Sequence, residues 1–490
     1  MSEKTHHHVV IIGTGFAGLG MGIGLQQHGM TDFVLLERAG DVGGTWRDNR
    51  YPGCACDVPS QLYSFSFELN PSWSRSFSGQ EEIWDYLRRC ADRYGVRPHI
   101  RFHHDVLDAA WDHPRSRWRV RTNCGELTCD VLITATGALS EPNIPDIPGL
   151  ATFRGAVFHS ARWALDYNFR NRRVAVVGTG ASAIQFVPQI QPEVASLTLF
   201  QRTPAWIMPR GERDIGGLER RVYRTLPALQ RLVRAGIYCG RESLVPGFAV
   251  SPRLLKPAEL IARAHLRRQV PDPALRAKLT PGYAIGCKRI LISNDFLPAL
   301  TRPNVKVVTS PLAEVGADWV QAADGTRSSA DAIVFATGFQ VTDAPIATRI
   351  RGRDGRTLAQ TWSGGAQAHR GTTIAGFPNL FMLVGPNTGL GHTSLIYMIE
   401  SQVAYTLDAL RYLRRCGAAA VEVRPEAQVA YNQAVQRRMA RTVWTSGGCT
   451  SWYLNAHGRN TTLWPTFTWR FRRATRKFDP TEYHTHGFSD

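Results

Sequence analysis

VVIIGTGFAG, residues 9–18, is the stretch that decides the fold, because a buried-strand pattern runs directly into a glycine-rich turn. An apolar helix is predicted to follow as far as Gln27, and a second strand over residues 33–36 ends at the acidic Glu37. In this arrangement the glycines make a tight turn and admit a pyrophosphate, the helix N-terminus stabilises phosphate charge, and the acid binds ribose hydroxyls. The stretch therefore predicts a dinucleotide-binding unit whose contacts are Gly13, Gly15, Phe16, Ala17, Gly18 and Glu37.

A second unit of the same kind begins at residues 174–177 (VAVV), which run into Gly178-Thr179-Gly180-Ala181-Ser182-Ala183. Its second predicted strand, residues 197–200, is followed by Gln201-Arg202-Thr203, so an arginine stands where the first unit has an acid. A carboxylate at that position repels a 2′-phosphate, whereas an arginine binds it. The second ligand is therefore predicted to be NADP rather than NAD; the alternative is that Arg202 is an ordinary surface arginine.

Two dinucleotide units in one chain imply two cofactors side by side. An acid in the first unit and an arginine in the second make FAD, fed by NADPH, the simplest interpretation. The flavin carries the difficult redox chemistry, and the protein binds, orients and shields it.

Residues 43–57, GGTWRDNRYPGCACD, form a predicted loop between these cofactors. Its glycines let the backbone approach a flat ring closely. Trp46 and Tyr51 are placed to wall off the site, and Asp57 is placed to present a lone carboxylate to a cofactor. A purely structural Gly-Pro loop is the alternative.

The domain organisation follows from strands that end in Ala-Thr-Gly at residues 135–137 and 336–338, and from a proline-rich linker after the first of them. We predict an α/β fold with two Rossmann-like domains and a helical insert. The FAD-binding domain begins with residues 1–145, the NADP-binding domain spans 150–342 with an insert at about 209–285, and 343–490 return to the FAD domain and form a C-terminal segment. Within that return, a strand is predicted at 380–384, a helix from near Ser394 towards Leu413, and a strand at 463–473 with an aromatic and a basic face.

The helical insert contributes strongly to the net charge of +18. Its apolar residues recur at helical spacing, at Leu218, Val222, Leu226, Leu229 and Val233, interrupted by Pro227. Such a basic amphipathic helix can lie on a membrane surface. Packing of the apolar face against the protein's own core is the expected alternative. No nucleic-acid-binding motif is present in the sequence, so no nucleic-acid partner is predicted.

Nine cysteines are scattered along the chain without a C-x-x-C pair, so neither a zinc ribbon nor a dithiol redox site is predicted. No metal is expected, the His6–His8 run having no further ligands near it in sequence. A reduced, cytoplasmic location is the expectation from cysteine usage.

The motifs resemble those of class B flavin monooxygenases, specifically Baeyer–Villiger monooxygenases, from about residue 9 to residue 470. Residues 43–57 match the family motif Gly-Gly-x-Trp-x4-Tyr-Pro-Gly-x3-Asp at every fixed position. Residues 153–163 match its Phe-x-Gly-x3-His-x3-Trp motif through Phe153, Gly155, His159 and Trp163. The Pro or Asp that often follows this second motif is Ala164 here.

The resemblance implies a reaction in which NADPH reduces FAD, O2 forms a C4a-peroxyflavin, and one oxygen atom enters a small-molecule ketone next to its carbonyl to give an ester or lactone. It implies that Arg289 is the active-site arginine and that Asp57 orients it. A permanently charged guanidinium keeps a peroxide anionic and stabilises the oxyanion of the adduct. It further implies FAD contacts at Thr45, Trp46, Asp57, Tyr63, Val106 and Leu395, and NADP contacts at Ala55, Cys56, Thr179, Gly180, Ala181, Ser182, Gln185, Arg202 and Thr203.

Two aromatic pairs are assigned by position. Trp46 and Tyr51 are expected to exclude water, while Trp452 and Tyr453 form either a substrate wall or ordinary core. His159 and Trp163, on the linker between the domains, are expected to couple domain motion to NADP binding.

Three other functions stay open at this stage. An N- or S-oxygenating flavin monooxygenase does not require an arginine at the peroxide. A flavin disulfide reductase needs a thiol pair. A membrane-attached flavin-fold protein that has lost catalysis is favoured only by the basic insert.

Overall fold

The structure is a computed structural model that describes residues 4–342 and 345–487. Its strands are β1 (His6–Ile12), β2 (Phe33–Leu36), β3 (Ile100–Arg101), β4 (Val106–Asp112), β5 (Arg117–Thr122), β6 (Gly125–Thr134), β7 (Ala156–His159), β8 (Arg173–Val177), β9 (Ser196–Phe200), β10 (Ile207–Met208), β11 (Leu291–Ile292), β12 (Val305–Val308), β13 (Leu312–Val315), β14 (Trp319–Ala322), β15 (Arg327–Ser329), β16 (Ala332–Phe335), β17 (Ile350–Arg351), β18 (Leu380–Met382), β19 (Ala420–Val423) and β20 (Tyr483–His486).

The α-helices alternate with these strands in both halves of the chain. They are α1 (Phe16–Gln27), α2 (Thr45–Asp48), α3 (Gln80–Arg93), α4 (Ala183–Ile190), α5 (Gly217–Thr225), α6 (Pro227–Glu242), α7 (Val245–Ala249), α8 (Lys256–Gln269), α9 (Pro273–Lys278), α10 (Phe296–Leu300), α11 (Ile346–Arg349), α12 (Leu358–Thr361), α13 (Leu395–Cys416), α14 (Pro425–Met439), α15 (Val443–Ser446) and α16 (Thr468–Ala474).

The first large sheet has eight strands in the order β17-β4-β5-β6-β1-β2-β3, with β18 also pairing with β6. β1 lies parallel to both β2 and β6 at the centre, where a strand buried on both faces needs a continuous apolar run. α1 packs on this sheet through residues that are buried from Phe16 to Leu25. A Cβ on Gly24 would come within 3.1 Å of side chains of α13, so the glycines of α1 bring these two helices close together.

The second large sheet has five parallel strands in the order β12-β9-β8-β16-β7. Such a sheet is characteristic of nucleotide-binding α/β domains. The two sheets confirm the predicted fold class, an α/β protein with two dinucleotide-binding units. The exact domain limits stay a prediction, and the boundary placed at 342/343 adjoins residues 343–344, which lie outside the described residues.

The helical insert differs from the expectation in the direction of its apolar face. Pro227 begins α6 and separates it from α5, since proline is well accommodated in a first helical turn. Leu218, Leu226 and Leu229 are exposed by 77%, 58% and 39%, so the expectation that this stripe packs against the protein's own core is wrong for them.

The strand predicted at 463–473 is also wrong, because residues 468–474 form helix α16. The alternation of Phe467, Trp469 and Phe471 suggested a period of two. In the structure a buried carboxylate from elsewhere in the chain decides the conformation: Glu242 accepts hydrogen bonds from the Thr468 backbone N–H (3.0 Å) and hydroxyl (2.8 Å). An acid at a helix N-terminus stabilises the helix, and Phe471 then turns into the core while Trp469 stays 43% exposed.

The cysteine analysis missed one covalent link. Cys287 and Cys449 form a disulfide with a Cα–Cα distance of 6.1 Å, across 162 residues of sequence. The bond removes the argument from cysteine usage for a reduced compartment, so the cytoplasmic location stays a prediction without that support.

Candidate active site

A cavity of about 1050 Å³ is lined by the 43–57 loop and by the turn after β8 in the second unit, whereas residues 13–18 of the first turn do not line it. Its walls include Thr45, Trp46, Asp57 and Tyr63 from the first unit and its loop, and Gly178, Thr179, Gly180, Ala181, Ser182, Arg202 and Thr203 from the second. Arg289, Leu395 and Trp452 complete it from later parts of the chain. The fold therefore brings most of the predicted binding residues to one space.

The turn after β1 fits a dinucleotide pyrophosphate. Gly13 has φ +104°, and a Cβ there would lie 2.6 Å from the Ala135 carbonyl oxygen. A Cβ on Gly18 would lie 1.9 Å from the Gly13 carbonyl oxygen, so this turn accepts no side chain at either position. Gly15 is the N-cap of α1 and makes no side-chain cap, so the free N–H groups of the first helical turn are available to a phosphate.

Glu37 is buried and lies directly beneath this turn. One carboxylate oxygen accepts hydrogen bonds from the Thr14 hydroxyl (2.6 Å) and N–H (3.2 Å), and the other accepts from the Ala39 N–H (2.9 Å). Arg47 pairs with the second oxygen at 2.9 Å. The predicted ribose contact of Glu37 stays a prediction, and the structure shows that the acid is already held rigidly in place.

Two predicted FAD contacts lie on the edges of the first unit. Val106 is buried, begins β4 and does not line the cavity. Leu395 begins α13 after a cap in which the Ser394 hydroxyl accepts a hydrogen bond from the Ile396 N–H (3.3 Å).

The 43–57 loop is tied to both nucleotide-binding units. The Trp46 indole N–H donates to the Tyr63 hydroxyl at 3.0 Å, beside the first turn. The Tyr51 hydroxyl donates to Gln185 Oε1 (2.9 Å), and Gln185 Nε2 donates to the Ala55 carbonyl (2.9 Å). Gln185 lies on α4, the helix of the second unit, so the loop bridges the two units.

Burial raises the pKa values of two thiols in this loop and of a tyrosine that contacts it. Burial raises the pKa of the Cys54 thiol to about 12 and also raises that of the Cys56 thiol, so both are protonated near neutral pH. Burial likewise raises the pKa of the Tyr63 hydroxyl. These groups add no negative charge to the cavity.

Asp57 and Arg289 form a bidentate ion pair across 232 residues of sequence. Arg289 Nε lies 2.6 Å from Asp57 Oδ2, and Arg289 Nη2 lies 2.7 Å from Asp57 Oδ1. Burial alone raises the pKa of the Asp57 carboxyl, but the Arg289 charge and hydrogen bonds outweigh it and hold that pKa below its usual value. The Asp57 charge raises the pKa of Arg289, so both groups are ionised and rigidly oriented.

The second nucleotide-binding unit contains a cation that the sequence analysis missed. Arg202 and Lys288 both line the cavity. Burial lowers the pKa of the Lys288 ammonium, and the Arg202 charge lowers it further. Lys288 directly precedes Arg289 in the sequence, and its position next to a predicted active-site residue is the feature from which it could have been predicted.

The predicted linker residues lie at the edge of the second sheet. Trp163 stacks on Phe169 (ring centroids 5.5 Å) and lies 6.5 Å from Tyr51 of the bridging loop. His159 Nδ1 accepts from the Ala161 N–H at 3.1 Å, and burial lowers the pKa of His159 to about 4. A Cβ on Gly155 would lie 2.3 Å from the Asp331 carbonyl oxygen.

The linker motif is therefore packed into the second sheet. Phe153 is buried in the same domain. A role of the motif in domain motion stays a prediction.

The two aromatic residues near the C-terminus take different positions. Trp452 is 46% exposed and lines the cavity, whereas Tyr453 is buried in a cluster with Trp444 and Cys287. Burial raises the pKa of Tyr453 to about 12. Trp452 thus faces the cavity as a substrate wall would, and Tyr453 has the core position that was the alternative.

An oxidoreductase that holds two dinucleotides around a charged centre is the class that this fold and cavity define. Comparison with known proteins agrees. A family profile described as pyridine nucleotide-disulphide oxidoreductase matches residues 10–215.

Similar curated proteins are more specific. A Baeyer–Villiger monooxygenase of Streptomyces coelicolor is 58% identical over 484 residues, covering 98% of this chain and 93% of the relative. A Baeyer–Villiger monooxygenase of Pseudomonas aeruginosa is 50% identical over 481 residues, covering 98% and 91%.

Solved structures with the same fold include a cyclohexanone monooxygenase from Rhodococcus sp. Phi1 bound to NADP+, with a TM-score of 0.86, 29% identity and coverage of 99% of this chain and 100% of the other. A steroid monooxygenase bound to NADP has a TM-score of 0.87, 30% identity and the same coverage.

The chain belongs to the Baeyer–Villiger monooxygenase family. It is an FAD- and NADPH-dependent monooxygenase of this type, as its motifs predicted, and the N- or S-oxygenating alternative is not favoured. Small-molecule substrates and O2 are consistent with this class.

Proposed function

We propose that Arg289, oriented by Asp57, stabilises the negative charge that develops while one oxygen atom is inserted next to the carbonyl of a small-molecule ketone. One observation carries the proposal: the bidentate Asp57–Arg289 pair lies in the wall of the cavity that the 43–57 loop shares with the second nucleotide-binding turn. When bound, FAD accepts reducing equivalents from NADPH and activates O2.

Arg289 has the chemistry that this insertion needs. Negative charge develops on oxygen during nucleophilic attack on a carbonyl, and a fixed guanidinium stabilises that charge without reorganisation. Arg289 stays protonated throughout because Asp57 raises its pKa. Asp57, with its lowered pKa, remains a carboxylate and holds the guanidinium plane in one orientation.

The cavity walls favour an apolar substrate. Trp46 and Trp452 line the cavity with aromatic surface, and Leu390 and Leu463 add aliphatic surface. Apolar walls exclude water, which strengthens electrostatic interactions inside the site. We therefore propose a ketone bound mainly by apolar contact, with the carbonyl directed to Arg289.

Isotope labelling tests the proposed reaction directly. FAD-loaded protein is given NADPH, isotopically labelled O2 and a panel of cyclic, linear, aromatic and steroidal ketones, and the products are analysed by mass spectrometry. We expect an ester or lactone that carries one labelled oxygen atom. Labelled amine or sulfide products, with only hydrogen peroxide formed in the presence of every ketone, would contradict it.

The choice of NADPH over NADH is proposed to rest on Arg202, assisted by Lys288. Because charge-assisted hydrogen bonds contribute about 1.5–3 kcal/mol, we expect Arg202→Ala to raise the KM for NADPH roughly 10- to 100-fold and to leave the KM for NADH nearly unchanged. Steady-state kinetics with both nucleotides measures this. Arg154→Ala is a matched control, since Arg154 is an exposed arginine of the same region that does not line the cavity. An equal rise in both KM values would place Arg202 away from the 2′-phosphate.

A further inference from the structure

Helix α6 is oriented with its polar face inward. Gln230 Nε2 donates to Gln61 Oε1 (2.7 Å) and to the Asn70 carbonyl (2.8 Å). Arg234 donates to the carbonyl oxygens of Gln61 (3.0 Å) and Ser64 (3.0 Å). The inner face is thus fastened by hydrogen bonds to backbone and amide groups of residues 61–70.

The C-terminal part of the same inner face is equally polar. Glu242 is buried and accepts hydrogen bonds from Thr468, while its Oε1 lies 3.0 Å from His392 Nε2. The Tyr238 hydroxyl lies 3.0 Å from the Thr468 hydroxyl. Ile237 and Tyr238 also pack against the core on this side, so α6 is joined to the protein by these hydrogen bonds together with two apolar contacts.

The outer face of α6 is apolar and faces solvent. Leu229 and Leu232 are exposed by 39% and 69%, and the remaining outer positions are small or apolar: Ala228, Ala235, Gly236, Cys239 and Gly240. Arg231 is the one charged residue among the exposed positions of this helix. In a helix at the surface of a globular domain, the apolar face normally packs inward and the polar face points to solvent. The exposed apolar face of α6 therefore indicates contact with an apolar partner.

Neighbouring elements of the insert extend the apolar surface. Exposed aliphatic side chains occur on α5, on the turn into α6, between α6 and α8, and on α8 itself, namely Leu218 (77%), Leu226 (58%), Val250 (70%), Leu254 (60%), Leu260 (65%) and Ile261 (47%). Single exposed apolar residues are common on protein surfaces, but a run of them through consecutive elements marks an interaction site.

The same segment is strongly basic. Residues 217–269 contain eleven Lys and Arg residues and three acidic residues. Glu242 is buried, and Glu219 and Glu259 are already paired with Arg213 and Arg263. Exposed cations at Arg221, Arg224, Arg231, Arg253, Lys256, Arg267 and Arg268 therefore surround the aliphatic residues.

We propose that residues 217–269 of the insert form a surface that binds peripherally to an anionic lipid bilayer, with the outer face of α6 and its neighbouring leucines at the level of the acyl chains. Aliphatic residues flanked by Lys and Arg are the pattern of an interfacial helix, in which apolar burial and attraction to anionic headgroups act together. No helix among the described residues has both the length and the apolar character that crossing a membrane requires, so the contact is a surface one.

Charge favours the lipid over a second copy of this chain. Pairing two inserts face to face would bring Arg221, Arg224 and Arg231 of one copy against the same cations of the other, and like charges brought together are repelled. An anionic bilayer instead compensates all of them. This inference does not depend on the proposed roles of Arg289 or Asp57.

Vesicle co-sedimentation of the FAD-loaded protein tests the surface. We expect binding to phosphatidylglycerol/phosphatidylcholine vesicles at low salt, with weaker binding at high salt and to pure phosphatidylcholine, because both apolar and electrostatic contacts are needed. The double variant Leu229→Glu/Leu232→Glu should bind the anionic vesicles at least about tenfold more weakly, since it removes two aliphatic groups and adds two anions. Its melting temperature should match the parent protein because both side chains face solvent.

The matched control is Leu165→Glu/Val429→Glu, which replaces two aliphatic residues that are exposed by 55% and 49% outside the insert. We expect this control to bind vesicles as the parent protein does. Equal loss of binding in both variants, or no binding of the parent protein to anionic vesicles, would overturn the proposal. Light scattering gives a further test. If the parent protein is a dimer and Leu229→Glu/Leu232→Glu converts it to a monomer, a second copy occupies the apolar face and the proposal is wrong.

Discussion

Arg289→Ala is expected to lower the rate of ketone oxygenation by roughly 10²- to 10³-fold, which corresponds to the ~2.7–4 kcal/mol lost when one fixed donor to a developing oxyanion is removed. NADPH oxidation by the FAD-loaded variant should continue and should produce hydrogen peroxide instead of ester. The reason is that Arg289 acts on charge at the reacting oxygen, whereas nicotinamide binding depends on the second nucleotide-binding turn. Product analysis and peroxide release, measured together with NADPH consumption, distinguish the two steps.

Two further variants separate charge from geometry. Arg289→Lys keeps a cation but loses the planar fork that binds both oxygens of Asp57, so we expect an activity between those of Ala and Arg. Asp57→Asn keeps the size of the side chain but removes the charge that orients Arg289, and it should also lower oxygenation more than NADPH oxidation.

A matched control exists in the second sheet. Arg173 contacts Asp331 through Nη2–Oδ1 (2.6 Å) and Nε–Oδ2 (3.1 Å), which is the same bidentate geometry as in the Asp57–Arg289 pair, but neither residue lines the cavity. Arg173→Ala should therefore leave the ratio of ester to peroxide unchanged. If Arg289→Ala retained the full rate of ester formation, the proposed role of Arg289 would be wrong.

The parts of the fold that depend on local sequence were predictable. An added Cβ would clash with backbone at Gly13, Gly18 and Gly178, and each of the two turns joins a buried strand to a helix within a dozen residues. Because this information is contiguous in sequence, both units and both cofactors followed from it.

The parts that depend on distant partners were not predictable from spacing. Asp57 and Arg289 meet across 232 residues, and they were assigned through the resemblance to a family rather than from any periodicity. The helix at 468–474 and the orientation of α6 share one long-range contact, in which the buried Glu242 of α6 accepts hydrogen bonds from Thr468. No window of local sequence contains that contact, so a period of two and a conventional amphipathic helix were the natural predictions there.

Gly18→Ala is expected to have the largest effect on folding and on retention of FAD. At the third glycine of such a turn, alanine is accepted in many nucleotide-binding proteins. Here an added Cβ would lie 1.9 Å from the Gly13 carbonyl oxygen and 2.8 Å from the Gly13 carbonyl carbon. Gly13 cannot move aside freely, because its N–H donates to the Leu36 carbonyl (2.8 Å) and ties the turn to the sheet.

Overpacking of this kind costs about 1–3 kcal/mol, which is a large part of the stability of a typical domain. We expect Gly18→Ala to lower the melting temperature and to purify with little FAD, as measured by thermal unfolding and by flavin absorbance per protein. Gly236→Ala is the control: it lies inside α6 with no atom within 4 Å of an added Cβ, and replacing an unstrained helical glycine should raise stability by about 0.5–1 kcal/mol. Full FAD content and unchanged melting in Gly18→Ala would mean that α1 can shift away from the turn, and that close approach of the helix to β1 is not what holds the first nucleotide.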